Sequence, residues 1–112
     1  MLKLLVLAVS VIGLATTLGA ATLPHESPLE IAATPAQRLY NEQCAECHGR
    51  DGISDSERNP NLAGQKKTYF TNEMKAFKAG TREGTIMPSI AAELTDEEIA
   101  ALAQHVSRLS CR

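Results

Sequence analysis

The sequence has 112 residues, of which 11 are Lys or Arg and 13 are Asp or Glu, so its formal net charge is −2. This length allows one domain at most after any leader is discounted. The basic residues form no face with interleaved aromatics, which excludes a nucleic-acid-binding surface. With no Trp, two Tyr and two Phe, the domain has little of its own to bury, and such small domains commonly need a metal, a disulfide or a partner group to complete a core.

The first 21 residues have the pattern of a secretory signal peptide. A lysine gives the short positive start, residues 4–15 are apolar, and small residues offer a cleavage site after Ala21. An uncleaved membrane anchor is the alternative, because the weakly polar stretch 4–23 approaches the ~20 residues that span a bilayer. Cleavage is favoured because the strongly apolar part is short, and it predicts an exported, periplasmic protein that leaves the membrane.

A flexible leader is predicted for residues 22–33, which contain two prolines and a serine. His25 lies in this leader and is interpreted as an exposed tail residue. The domain is expected to occupy residues 34–112. Its first helix starts with Thr34 as N-cap, Pro35 at the first helical position and Gln37 to complete a capping box.

A Cys-X-X-Cys-His run is predicted at the C-terminal end of this first helix. Cys44-Ala45-Glu46-Cys47-His48 has the pattern of a covalent c-type haem attachment site. Two thiols at this spacing can reach the two vinyl groups on one porphyrin edge, and the His can give the iron an imidazole nitrogen. A dithiol redox pair would need a thioredoxin-like context, and a zinc site would need further ligands at metal-finger spacing. Haem attachment through Cys44 and Cys47, with His48 as an iron ligand, is the preferred interpretation.

A loop is predicted from residue 53 to residue 64, where Ser, Asp, Asn and Pro mark turns. Pro60 lies twelve residues after His48. A carbonyl from this loop could accept a hydrogen bond from the second imidazole nitrogen, which is the usual arrangement for a metal-bound His. An ordinary loop proline is the alternative that the spacing leaves open.

A second helix is predicted from Gln65 to Ala79, ended by Gly80. Phe70, Met74 and Phe77 share one face of this helix, and the stripe is interpreted as core packing against the haem edge. Met74 as an iron ligand is the less favoured alternative, because a thioether on an apolar helix stripe usually fills the core.

Residues 81–93 are predicted to be irregular, and within them Met87 precedes Pro88. The proline limits the backbone and removes a donor, so the Met87 sulfur can be presented to the sixth position of the iron. Packing on the porphyrin face without a bond is the alternative. Ligation is favoured because few other candidates exist and a six-coordinate iron suits electron transfer.

The last helix opens with Thr95 and Glu98 as a capping box and with acidic residues at the positive end of the helix dipole. An apolar stripe should pack this helix across the first one. The stripe consists of Ile99, Leu102, Ala103, Val106 and Leu109. His105 falls off the stripe and is interpreted as a solvated surface residue. Cys111 could be free, pair between chains or contact a partner subunit.

With these motifs the chain resembles the class I c-type cytochromes from Thr34 to about Leu109. The resemblance implies an all-α fold of three main helices around one covalent haem c. It also implies that His48 and Met87 are the axial ligands of the iron and that the Pro60 carbonyl holds the His48 ring. Pro60 and Leu62 are both among the residues that carry the resemblance. Leu62 and Phe77 are both expected to contact the haem.

A narrower similarity concerns residues 61–65, 76–80 and 85–87. These segments resemble the haem domains of bacterial periplasmic di-haem cytochromes and of the cytochrome subunit of flavocytochrome c sulfide dehydrogenase. Those relatives often carry two such domains in one chain, whereas this sequence has one Cys-X-X-Cys-His run.

One-electron transfer is the function that the resemblance implies, with no catalysis by this chain alone. The protein would act as a periplasmic shuttle or as the haem subunit of a complex with a redox partner, a flavoprotein sulfide dehydrogenase being the specific candidate. The alternative from another class is a gas-binding or peroxide-reacting haem protein, which requires a sixth ligand that is absent or readily displaced.

Overall fold

Residues 32–111 form five helices and no strand, and this is the range that the computed structural model describes. The helices are α1 (Pro35–Gln43), α2 (Ala45–His48), α3 (Lys67–Ala79), α4 (Met87–Glu93) and α5 (Asp96–Val106). The predicted signal peptide at 1–21 and nearly all of the predicted leader at 22–33, His25 included, lie outside the described residues. In the described range no helix is long and apolar enough to cross a membrane. The prediction of an all-α fold with three main helices, α1, α3 and α5, is confirmed.

Helix α1 begins at its predicted cap. The Thr34 hydroxyl accepts a hydrogen bond from the backbone N–H of Gln37, and Pro35 occupies the first turn. Within the described range the Gln37 side chain returns no bond to Thr34, so the predicted capping box is only half formed. Gln37 is exposed, and water can satisfy its amide group instead.

The Cys-X-X-Cys-His run was predicted to be the C-terminal end of α1. In the structure it forms a separate short helix. Cys44, with φ −120° and ψ −39°, ends α1 and precedes α2, whose last residue is His48. Gly49 follows with φ +81°, a conformation that strains any residue with a Cβ. A Cβ at Gly49 would lie 1.9 Å from the carbonyl oxygen of Ile53. This glycine therefore allows the chain to turn back closely behind His48.

Two helix boundaries differ from the predictions. Helix α3 begins at Lys67, two residues later than predicted, and ends at Ala79, where Gly80 follows in the left-handed conformation expected of a helix stop. Residues 81–86 are irregular as predicted, but helix α4 occupies the second half of the segment 81–93, with Met87 as its first residue and Pro88 in its first turn. Proline is favoured at that position because the first turn has no intrahelical acceptor for the missing N–H. Pro88 therefore starts a helix.

Helix α5 begins with the predicted capping box. The Thr95 hydroxyl accepts from the N–H of Glu98, and the Glu98 carboxylate accepts from the N–H of Thr95. Helix α5 packs against both α1 and α3, and α3 also packs against α4. The predicted apolar stripe lies in the core, with Leu109 partly buried against it. The buried core side chains include Tyr40, Phe70, Met74, Ala91, Leu94, Ile99, Leu102, Ala103 and Val106.

His105 is not the solvated residue that its position off the stripe predicted. Its ring centroid lies 5.0 Å from that of Tyr40, with the ring planes tilted by 54°. The Nε2 atom is buried and has no hydrogen-bond partner among residues 32–111, and burial lowers the pKa of the imidazole. The prediction was wrong because α1 crosses α5 and places a large aromatic ring over this position.

Candidate functional site

One cavity brings together every residue that the sequence analysis expected to attach, ligate or contact the haem. Its volume is about 630 Å³, within the range of about 300–1,000 Å³ that is typical of cofactor and ligand sites. The cavity is lined by residues of α2, of the loop before α3, of α3 and of the start of α4. Those expected from the sequence are Cys44, Cys47, His48, Pro60, Leu62, Phe77 and Met87.

The geometry of His48 determines which of its nitrogens is free. The side chain is only 7% exposed, and its Nδ1 atom lies 2.8 Å from the carbonyl oxygen of Pro60. A carbonyl can only accept, so Nδ1 carries the proton and donates it. The lone pair of the neutral imidazole is then on Nε2, the atom with which His48 can bind a metal.

The two thiols of the run differ in environment. Cys44 is 7% exposed, whereas Cys47 is exposed. Burial raises the pKa of the Cys44 thiol to about 11, so this cysteine stays neutral at ordinary pH. A neutral sulfur that can be converted to a thioether suits the buried position, because a thiolate there would be poorly solvated.

Two methionines line the same cavity, Met74 from the middle of α3 and Met87 from the first residue of α4. Met74 is buried at 4% exposure and belongs to the hydrophobic core. Met87 is half-buried and packs against that core from its edge. The burial of Met74 in the α3 stripe agrees with its predicted packing role.

The character of the lining fits a porphyrin. Phe70, Leu62, Phe77 and Ile90 contribute apolar surface, and such surface favours the macrocycle over water. The two thiols provide the points of covalent attachment. The imidazole with its free Nε2 and the thioether are donors that haem iron accepts. The residues present therefore fit a covalently bound haem.

Three charged residues at the cavity were not singled out from the sequence: Arg58, Glu73 and Arg82. Arg82 forms an ion pair with Glu73, and its guanidinium carbon lies 4.4 Å from the centroid of the Phe77 ring. No local pattern marks this cluster, because Glu73 and Arg82 meet only after α3 has ended and the chain has turned.

A buried tyrosine behind the cavity was also missed. Tyr40 is fully buried, and its hydroxyl donates a hydrogen bond of 2.7 Å to the carbonyl oxygen of Gly49. Burial is the main cause that raises its pKa to about 12. Its position in α1 signals an apolar packing residue, and nothing in the sequence indicates which backbone atom its hydroxyl contacts.

Cys111 lies apart from the residues that line the cavity. It is exposed and is not in a disulfide with either cysteine of the run. Its thiol donates to the carbonyl oxygen of Ala63 over 3.0 Å. None of the roles left open for Cys111 is selected by these contacts.

Sequence comparisons with known proteins identify related cytochromes. The family model described as cytochrome C oxidase, cbb3-type, subunit III, matches residues 32–106. Cytochrome c-554(548) of Halomonas halodenitrificans is 40% identical over 67 residues, which cover 57% of this chain and 81% of that protein. The cytochrome subunit of sulfide dehydrogenase of Chlorobaculum tepidum is 35% identical over 98 residues, which cover 88% and 84%.

Cytochrome c4 provides the structural comparison. The reduced recombinant cytochrome c4 from Pseudomonas stutzeri superposes with a TM-score of 0.63 at 27% identity, over 70% of this chain and 48% of that one. Cytochrome c4 from Acidithiobacillus ferrooxidans gives a TM-score of 0.62 at 33% identity, over 70% and 50%. The chain thus spans about half the length of these solved structures.

Proposed function

Because this chain belongs to the class I c-type cytochromes, in the family described as cytochrome C oxidase, cbb3-type, subunit III, we propose that it carries single electrons in the periplasm through a haem whose iron is held by His48 and Met87. Covalent haem c and electron transfer are properties of the family. The ligand pair, the compartment and the partner are our proposals for this chain.

One observation carries the proposal: a single cavity brings together the cysteines and histidine of the Cys-X-X-Cys-His run and Met87, with the Nδ1–H of His48 donating a hydrogen bond to the Pro60 carbonyl. This hydrogen bond fixes the imidazole ring and raises its basicity as a ligand. Met87 is the available thioether at the edge of the core. His48 and Met87 together would supply the protein ligands of the iron, and such a His/Met pair raises the potential of a haem.

The haem, when bound, supplies a one-electron couple between ferrous and ferric iron. Cys44 and Cys47 would hold that group through thioethers, and His48 and Met87 would bind its iron. Phe70 and Met74 exclude water from the inner wall. Cys47 is exposed while Cys44 is buried, so we place electron entry and exit at the Cys47 side of the site.

The proposed partner is another redox protein. The chain covers 84% of the sulfide dehydrogenase cytochrome subunit of Chlorobaculum tepidum, and a relative from Stutzerimonas stutzeri, 33% identical over 84 residues, is a thiosulfate dehydrogenase electron acceptor. These similarities favour a role as electron acceptor of a sulfur-compound dehydrogenase, with a diffusing shuttle as the second candidate.

The ligand proposal is tested with Met87→Ala. We expect this variant to lose the weak long-wavelength sulfur-to-iron absorption band of the oxidised protein and, once reduced, to bind carbon monoxide rapidly. Met74→Leu is the matched variant, because it removes the other thioether of the same cavity, and it should keep the band. A band retained by Met87→Ala would disprove the ligation, and rapid carbon monoxide binding by the unaltered protein would favour the gas-binding alternative.

The partner proposal is tested by gentle isolation of the haem protein from its native host. Size-exclusion chromatography would follow flavin and haem absorbance together. Co-elution of flavin and a larger polypeptide in fixed ratio would support a dehydrogenase subunit. Haem that elutes alone at the size of one small domain would support the shuttle.

A further inference from the structure

Tyr40 contributes a hydroxyl to the backbone immediately behind His48. The tyrosine is fully buried in α1, and its hydroxyl donates to the Gly49 carbonyl oxygen over 2.7 Å. Gly49 is the residue directly after His48, and its carbonyl also accepts from the N–H of Gly52 over 3.1 Å. Two donors therefore fix the peptide unit between Gly49 and Arg50, one residue beyond the histidine proposed to bind the iron.

The same turn holds the loop that supplies the acceptor for the imidazole. The Gly52 carbonyl accepts from the N–H groups of Leu62 and Ala63, over 2.8 and 3.0 Å. These residues come just after Pro60, whose carbonyl accepts from Nδ1 of His48. Both ends of the His48–Pro60 hydrogen bond are thus tied to the Gly49–Gly52 turn, which Tyr40 anchors.

The ring of Tyr40 also packs against α5. His105 of α5 lies against it, with 5.0 Å between ring centroids. Burial keeps the Tyr40 hydroxyl protonated, since its pKa is raised to about 12. At neutral pH the hydroxyl therefore carries its proton and can donate it from a fully buried side chain.

We propose that Tyr40 is a positioning residue for His48: through the Gly49–Gly52 turn it holds the imidazole and the Pro60 carbonyl at hydrogen-bonding distance and thereby lowers the reduction potential of the haem iron. The physical reason is that a short Nδ1–H···O bond makes the imidazole a stronger electron donor. A stronger donor stabilises ferric iron more than ferrous iron. This inference rests on the haem ligation proposed above.

The test is the haem-loaded Tyr40→Phe protein, in which the ring against His105 remains and only the hydroxyl is lost. We expect its reduction potential to rise above that of the unaltered protein. We also expect the hyperfine-shifted proton resonances of the His48 ring to move in the ferric NMR spectrum, because the imidazole is held less firmly.

Thr95→Ala is the control for a merely structural effect. It removes the N-cap of α5 and should lower the melting temperature, but Thr95 has no hydrogen bond to the Gly49–Gly52 turn. The reduction potential and the His48 resonances of the Thr95→Ala protein should equal those of the unaltered protein. If Tyr40→Phe lowers the melting temperature but leaves potential and resonances unchanged, or if both variants shift them equally, the proposal is wrong.

A second variant covers the case in which Tyr40→Phe does not accumulate with haem. In a Tyr69→Phe background, incorporation of 3-fluorotyrosine alters Tyr40 alone and makes its hydroxyl a stronger donor, because fluorine acidifies the phenol. The potential should then fall below that of the background, and an unchanged potential would overturn the proposal. Failure of the ligation itself is seen separately, as absence of the sulfur-to-iron band in the unaltered protein.

Discussion

His105 shows how one half-buried side chain makes stability depend on pH. Burial against Tyr40 lowers the pKa of its imidazole in the folded protein, whereas a histidine in the unfolded chain titrates near about 6.5. The unfolded state therefore binds more protons as the pH falls past that value, and the free energy of unfolding decreases. Above about pH 7.5 both states are neutral and His105 contributes no slope.

We expect the haem-loaded protein to lose stability as the pH falls from about 7 to about 5, a window above the ordinary titration of Asp and Glu near about 4. His105→Gln should flatten this slope even if it lowers stability at every pH. Chemical denaturation at a series of pH values measures the effect. Equal slopes in the two proteins would show that His105 does not titrate differently in the folded state.

Helix α5 is held to its neighbours by its first residues. Thr95 and Glu98 cap its N-terminus, and Lys75 of α3 reaches the Asp96 carboxylate over 3.2 Å. The Lys75 hydrogen bond and charge, with a smaller effect of Lys78, lower the pKa of Asp96. The Lys78 ammonium also donates to the Leu94 carbonyl oxygen over 2.5 Å. The start of α5 is therefore both a local cap and a contact with α3.

Thr95→Ala should lower the free energy of unfolding by about 1 kcal/mol, the usual loss for an N-cap hydroxyl. Thr68→Ala in the first turn of α3 is the matched control, because Thr68 is exposed and alanine favours a helix. Denaturant titration of both variants checks this. A loss of equal size in Thr68→Ala would mean that the cap is not the cause.

The whole domain is organised around a cavity of about 630 Å³. Cys44, Phe70 and Met74 belong both to the buried core and to the wall of this cavity, so a bound cofactor would pack directly against core side chains. A domain of this size has a small stability margin. The haem is thus part of the core as well as the redox centre.

Loss of covalent haem should therefore abolish cooperative folding. We expect Cys44→Ala combined with Cys47→Ala to leave a chain with reduced helical circular dichroism and no sharp thermal transition, while the haem-loaded protein melts in one step. Met87→Ala is the control, because it retains the thioethers and should keep most of its helix. A sharp transition in the double variant would show that the helices form a stable core without the haem.

The amino-acid sequence by itself determined the parts that depend on neighbours a few residues apart. The cap of α1 at Thr34, the capping box of α5, the Gly80 stop and the apolar stripes all follow from local hydrogen bonds and helical spacing. Only the tertiary structure decided the contacts between distant segments. These include the Arg82–Glu73 pair and the placement of Tyr40 against His105, whereas the 2.8 Å bond from His48 to Pro60 was left open by the spacing and implied by the family resemblance. Local chemistry sets where a helix starts and which face is apolar, whereas the crossing of helices and the path of loops decide which polar atoms finally meet.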